Sequence, residues 1–147
     1  PAHPDVARSK INLAAVMNQL SDVEGALAYW KEAADILETR PELSGQLGKT
    51  YNNMAVVLEG RGELAAALRL HHKAIEVKLR DDPHSATVAD SLYNIAILHE
   101  QLGEVEEAVT ACKRSLAITT ERLGREHPNA RDARDLLLDL RAALGKQ

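Results

Sequence analysis

Along residues 104–123 the side chains Val105, Ala108, Val109, Cys112, Leu116, Thr120 and Leu123 recur at spacings of three and four, which sets them on one stripe of a helix. Such a stripe needs a neighbour to cover it. Comparable patterns along the chain predict helices over 4–20, 22–39, 42–61, 63–80, 84–102, 104–123 and 128–144. Short turns join them in pairs at Ser21-Asp22, Gly62-Glu63 and Gly103-Glu104. Glycine adopts the left-handed conformation that ends a helix, and an acidic residue favours the positive start of the next one. Ser21 stands where the other turns have glycine, and with Glu24 it predicts a capping box. Proline, tolerated in the first turn of a helix, predicts the starts of the first helices at Pro4, Pro41, Pro83 and Pro128.

The pattern repeats. Asn12-Leu13-Ala14 returns as Asn53-Met54-Ala55 and as Asn94-Ile95-Ala96, a register of 41 residues kept without a gap, and Ala26, Ala67 and Ala108 follow it. A period of this length means a solenoid, in which each unit packs on its neighbours and the stack offers a concave surface to a partner. The fold expected is all-α: a right-handed α-solenoid of three antiparallel helix pairs and a C-terminal capping helix. As one array over 1–147 it has repeats at 3–43, 44–84 and 85–126 and a cap at 127–144. In the cap Ala133, Leu137, Leu140 and Leu144 share one side, and Arg131, Asp132, Asp135, Asp139 and Arg141 lie largely elsewhere.

Composition narrows the functions open to such a stack. Tyr29, Trp30, Tyr51 and Tyr93 are the only aromatic residues, so the core must be built from Ala, Leu, Ile and Val, a mixture suited to closely packed helices. A net charge of −4 gives no whole-chain attraction for nucleic acid or an anionic membrane, and neither is expected as a partner. No apolar run approaches the roughly 20 residues that span a bilayer. The chain begins at Pro1 rather than Met, which reads as a processed or excised fragment, expected to be monomeric with self-association open. A lone cysteine, Cys112, fits a reducing compartment such as the cytoplasm.

The small and acidic residues at fixed offsets carry a resemblance. Ile95-Ala96, Gly103-Glu104, Ala108 and Ser115, matched by Met54-Ala55, Gly62-Glu63, Ala67 and Ala74, resemble tetratricopeptide repeats (TPR). The usual unit has about 34 residues, and the excess of about seven is nearly two helical turns, so both helices lengthen without changing the faces that meet. The long form is similar to the repeats of kinesin light chains, through His3-Pro4-Asp5-Val6-Ala7, through Leu123-Gly124-Arg125-Glu126-His127-Pro128, and through Asn52 to Ala55. The chain departs from the pattern at Asp82-Pro83-His84-Ser85 and at Leu136, which replaces the repeated asparagine.

The resemblance implies that first helices line the concave face and that the asparagine before Leu-Ala contacts a bound peptide, its amide supplying both donor and acceptor. Those positions are Asn12, Asn53 and Asn94, a ladder along the groove. Helical spacing brings Arg8 near Asn12 and Lys49 near Asn53. Asn52 and Tyr93, one residue before the ladder, and Gln19 and Gln101, seven after it, add hydrogen-bonding and stacking surface. The competing reading is internal: the ladder satisfies buried backbone groups between helices. Arg8 and Lys49 resemble half of a carboxylate clamp, yet the third repeat offers Asp90 at the same place, and Glu59 and Glu100 follow on the same helices. The groove is mixed in sign, which leaves an acidic and a neutral amphipathic ligand both open.

Other constellations carry less. His71-His72 lack the i, i+4 spacing of a helical metal site, and no metal or other cofactor is expected. His71, Trp30 and Cys112 share a repeat column that should face the interior, which reads them as packing residues and leaves Cys112 without the base and exposure of a nucleophile. Gly48 falls in the column of Ala7 and Ala89, so Gly48-Lys49-Thr50 is read as helix rather than phosphate loop. No acid, base and nucleophile converge, and an enzyme is not expected. Three roles follow: an adaptor that binds a protein or peptide segment on its concave face, a structural or self-association module whose first helix has an uncovered outer face, and a sensor segment binding in cis within a larger signalling protein.

Overall fold

Residues 3–146 of the chain are described by a computed structural model, and their regular structure is all helical. The helices are α1 (Pro4–Gln19), α2 (Val23–Leu37), α3 (Ser44–Gly60), α4 (Leu64–Asp81), α5 (Ala86–Gln101), α6 (Val105–Leu123) and α7 (Pro128–Leu144), with a 3-10 turn, Pro41–Leu43, leading into α3. These bounds fall within two residues of those the apolar pattern predicts. The chain is thus an all-α solenoid of helix pairs, and it divides into two compact units, Pro1–Val77 and Lys78–Gln147, with the division inside α4.

In the first unit α1 packs on α2 and α2 on α3. One cluster gathers Ala7, Ala33, Ala34, Leu37, Leu47, Tyr51, Ala74 and Val77, and a second gathers Ala14, Ala26 and Trp30. Met54 and Ile11 pack against both, so α1 and α3 share their cores. In the second unit α5 packs on α6 and α6 on α7, with Ile95, Leu140, Val88 and Cys112 among its fully buried side chains. The recurring small residues are buried throughout: Ala26, Ala67 and Ala108, and Ala14, Ala55 and Ala96, are all at 0% exposure. Side chains of this size let helix axes approach closely, and filling the interface with Leu and Ile around them supplies the apolar area that holds each unit together.

The three interhelical turns share one geometry. Gly62 and Gly103 have φ of 77° and 79°, and Ser21 adopts the same left-handed conformation at 65°. In each, the N–H of the acidic residue that follows donates across the turn to a carbonyl of the helix just ended: Asp22 to Met17 at 2.8 Å, Glu63 to Leu58 at 2.9 Å and Glu104 to His99 at 2.8 Å. The capping box expected of Ser21 and Glu24 does not form. Ser21 is occupied with the left-handed turn, so Asp22 caps α2 by accepting from Gly25 N–H at 3.0 Å, and Glu24 pairs with Arg61. That pairing is the main cause, ahead of the charges of Glu24 and Glu63, that raises the Arg61 guanidinium above its ordinary value, against burial.

The His-Pro signature is also a cap. His3 and His127 precede α1 and α7, and the Nδ1 of each accepts from the N–H two residues on, at 3.1 Å from Asp5 and 3.2 Å from Asn129. The imidazole thus does what Ser or Asp does at other helix starts, while proline fills the position whose N–H has no helical partner. The departure at the middle boundary has a structural counterpart. Pro83 lies in the turn and does not open α5, which starts at Ala86 with Ser85 accepting from Val88 N–H at 3.3 Å. Asp82 instead holds Arg122 of α6 at 2.9 and 3.0 Å.

The apolar stripe of α6 bends away from its expected course. Ala108, Val109 and Cys112 are buried as predicted, but toward the C-terminal end Ser115, Ile118 and Thr119 are buried while Thr120 and Leu123 are exposed. Steps of four residues advance 400° and drift by about 40° each on a helix of 3.6 residues per turn. The true buried line therefore runs Ala108, Cys112, Ser115, Thr119.

Candidate functional site

The repeated column of α2, α4 and α6 is interior. Trp30, His71 and Cys112 have 3%, 1% and 0% exposure. The Nε2 of His71 pairs with Glu59 of α3, which supplies the polar partner a buried imidazole needs. The thiol of Cys112 donates to the carbonyl of Ala133 in α7 at 3.1 Å, and burial pushes it up to about 11, against the pull of Arg141. A thiol so placed is packing, not a nucleophile. Gly48 is likewise buried within α3.

The residues expected to meet a ligand lie differently. Asn12 is on α1, Asn53 on α3 and Asn94 on α5; all three are exposed, and none of their amides forms a hydrogen bond among the described residues. In the first unit Arg8 and Lys49 are exposed too, on the adjacent helices α1 and α3. Arg8 pairs with Asp5, one turn away at 3.0 Å, and Lys49 has no ion pair among the described residues. Gln19 ends α1 in the open. Asn52 departs from expectation. One helical step from Asn53, it turns toward the packed side, and its Oδ1 is buried with no partner.

In the second unit Tyr93 and Asn94 help to line a cavity of about 260 Å³ between three helices. Asp90 joins them from α5, Ser115 and Thr119 from α6, and Asn129 and Asp132 from α7. Gln101, exposed at the far end of α5, is not part of it. Ser115 donates to the carbonyl of Ala89 at 2.7 Å and braces the floor, and Asn129 donates to Asp90 at 3.3 Å across the rim. Burial first, then the charge of Asp132 and of more distant acidic groups, holds the Tyr93 hydroxyl above its ordinary value. Beside the cavity, burial lowers the Lys78 ammonium, offset by Asp90, and Lys78 donates to Ser91 at 2.9 Å. Thr119, Asn129 and Asp132 were not foreseen as site residues. The 3.6-residue line through Ala108, Cys112 and Ser115 points to Thr119, and Asp132, four residues before Leu136, stands where Asp90 stands before Asn94, whereas Asn129 carries no such signal.

Among the described residues no group of three or more metal-ligating side chains gathers, and no helix is long and apolar enough to cross a membrane. Comparison with known proteins bears on the fold. The tetratricopeptide repeat model matches residues 46–109 and 87–147. Solved structures align over nearly the whole chain. A Podosopora anserina protein assigned to the kinesin light chains, with nearly identical TPR-like repeats, superposes with a TM-score of 0.73 at 20% identity, covering 99% of this chain and 70% of that one. BtubC from P. vanneervenii gives 0.72 at 20% identity, over 100% and 68%. The N-terminal domain of stress-induced protein-1 from C. elegans gives 0.70 at 21% identity, over 92% and 98%. The helix pairs, the glycine-acid turns and the matched model, which covers more than half of the chain, lead to one conclusion: the chain belongs to the tetratricopeptide repeat family.

Proposed function

We propose that this chain binds a peptide or extended segment of another protein on the face of its first helices, α1, α3 and α5, in an adaptor or scaffold role. The observation that carries the reading is the state of Asn12, Asn53 and Asn94: the same residue at the same repeat position, exposed each time, with its amide donors and acceptor unspent among the described residues. A side chain kept for internal structure would be buried and bonded. An amide can pair with a peptide backbone whatever the peptide's sequence, because it both donates and accepts. Arg8, Lys49 and Gln19 extend this surface in the first unit, and Tyr93 and Gln101 in the second.

The test is a selection of displayed random peptides on the intact chain, followed by binding measurements on Lys49→Ala with Asn53→Ala. Loss of hydrogen bonds to backbone or charged groups is expected to weaken selected peptides by about 1–3 kcal/mol with the helical signal unchanged. Unchanged affinity in the double variant would refute the assignment of this face.

A second reading, self-association, is favoured by one observation. Val6, Leu13, Val16 and Leu20 of α1 are all exposed, Leu20 at 75%, and they follow one another at helical spacing. Sedimentation velocity over a concentration series separates the two. Concentration-dependent association that disappears in Leu13→Lys with Leu20→Lys supports self-assembly through α1, and a monomer at every concentration removes it.

A further inference from the structure

The cavity between α5, α6 and α7 has a chemistry that the asparagine positions do not share. Its charged lining residues are Asp90 and Asp132, with no basic side chain among them. Asp132 forms no ion pair and no hydrogen bond among the described residues, and Asp90 is met only by the neutral amide of Asn129 at hydrogen-bonding distance. Lys78 acts on Asp90 from beyond the lining, but its ammonium is engaged with Ser91. A second observation is independent of charge. Thr119 is 2% exposed and lines the cavity, yet its hydroxyl makes no hydrogen bond among the described residues. Two threonines elsewhere in helices are bonded: Thr50 donates to Gln46 O at 2.8 Å and Thr110 to Glu106 O at 3.1 Å. The residue is buried while its hydroxyl is left without a protein partner, and the space its side chain lines is the cavity.

Size and charge together define the occupant. At about 260 Å³ the space lies below the roughly 300–1,000 Å³ of pockets that enclose whole small molecules. It suits one side chain. Two carboxylates fall well short of the roughly six to eight oxygens a calcium ion takes. They do match a guanidinium or ammonium group, whose several donors can reach both carboxylates, the Thr119 hydroxyl and the Asn94 amide oxygen while its methylenes lie against Tyr93.

We propose that this cavity is a subsite for a lysine or arginine side chain of a bound peptide, with Asp132 and Asp90 as its counter-charges. The proposal rests on the reading of the first-helix face as a peptide-binding surface and adds a residue preference to it. It also sets the second unit apart from the first, where the positions equivalent to Asp90 hold Arg8, paired with Asp5, and Lys49.

The test uses blocked tripeptides on the intact, isotope-labelled chain at constant ionic strength. Acetyl-Ala-Arg-Ala-amide and its lysine analogue are titrated while the amide resonances of Asn94, Thr119 and Asp132 are followed, with glutamine and glutamate analogues as controls. Saturable shifts at these resonances with the basic peptides alone are expected. Binding should fall by about tenfold in Asp90→Asn with Asp132→Asn and by a few-fold in Thr119→Val, which removes the hydroxyl without touching the charge. Absence of saturable shifts overturns the subsite, as do equal shifts with the glutamate peptide or a response that survives the double variant. Such a failure is distinguishable from failure of the first-helix reading, because the Lys49 and Asn53 experiment reads side chains of the other unit.

Discussion

α1 and α7 begin alike and end differently. Each opens with His-Pro, each is capped by a histidine Nδ1, and each buries alanines within its unit, α1 packing on α2 and α7 on α6. On α7 the remaining faces carry Arg131, Asp132, Asp135, Asp139 and Arg141, all exposed, with Leu138 the one large apolar side chain left in water. On α1 the outward stripe is Val6, Leu13, Val16 and Leu20. A solenoid unit ends in solvent only if its last helix has a polar outer face. α7 meets that condition and α1 does not. The same helix-start signature thus precedes one helix with a charged outer face and one with an exposed apolar stripe.

The largest effect expected from this difference is on stability. Leu140 lies at 0% exposure on the buried side of α7, and Leu140→Ala should cost about 2–5 kcal/mol in urea unfolding, since the cavity left behind adds to the lost transfer energy. Leu13→Ala on α1 removes a side chain that is 44% exposed and should cost far less, within about 1 kcal/mol. Equal losses would break the comparison, because they would mean that the outer stripe of α1 is covered after all.

The seal between α6 and α7 has a chemical readout of somewhat smaller size. With its thiol raised from an ordinary value near 9 to about 11, native Cys112 should react with an aromatic disulfide reagent at pH 8 about 100-fold more slowly than in the urea-unfolded chain. The folded state holds its proton longer than the unfolded state, so stability is full below about pH 9 and falls as pH rises toward about 11. Fast native labelling would show that α7 lifts from Cys112 and is no firm cap.

The smallest effect sharpens the first repeat's other peculiarity, the turn that follows α1. Left-handed backbone costs a residue with a Cβ about 1–2 kcal/mol. Ser21→Gly should therefore raise stability by up to about 1 kcal/mol, and Gly103→Ala should lower it by a similar amount, both measured by thermal unfolding. A loss in Ser21→Gly would show that the serine hydroxyl contributes more than its strain removes.

Much of this was legible in the chain itself. The 41-residue register of Asn12, Asn53 and Asn94 fixes which residues are equivalent, and the alanine columns identify the close helix contacts because only small side chains fit there. The interior column of Trp30, His71 and Cys112 followed from the same alignment despite three unlike side chains. Local chemistry was less secure. Ser21 reads as a cap by residue type, but a turn that must be left-handed uses it for its backbone, and Asp22 takes the capping role. Pro83 reads as a helix start, but Ser85 has the better cap and α5 begins after it.

The candidate site divides in the same way. Its asparagines were found by repetition, since equivalent positions in a solenoid face the same way. Asn52, one residue along and so about 100° around the helix from Asn53, is half-buried, with its Oδ1 buried and unpartnered among the described residues.

What the sequence determined by itself is what periodicity encodes: helices, their pairing, the family, and the columns that face inward. What only the tertiary structure decided is where non-equivalent residues meet. Asp90 and Asp132 are equivalent by repeat register, but Thr119 lies on a second helix of a pair and Asn129 at the start of α7, and only packing α7 on α6 and α6 on α5 brings all four around one cavity. Periodicity is a property along a helix, whereas a site made of three helices depends on crossing geometry and on which side chains are left without partners when the helices close.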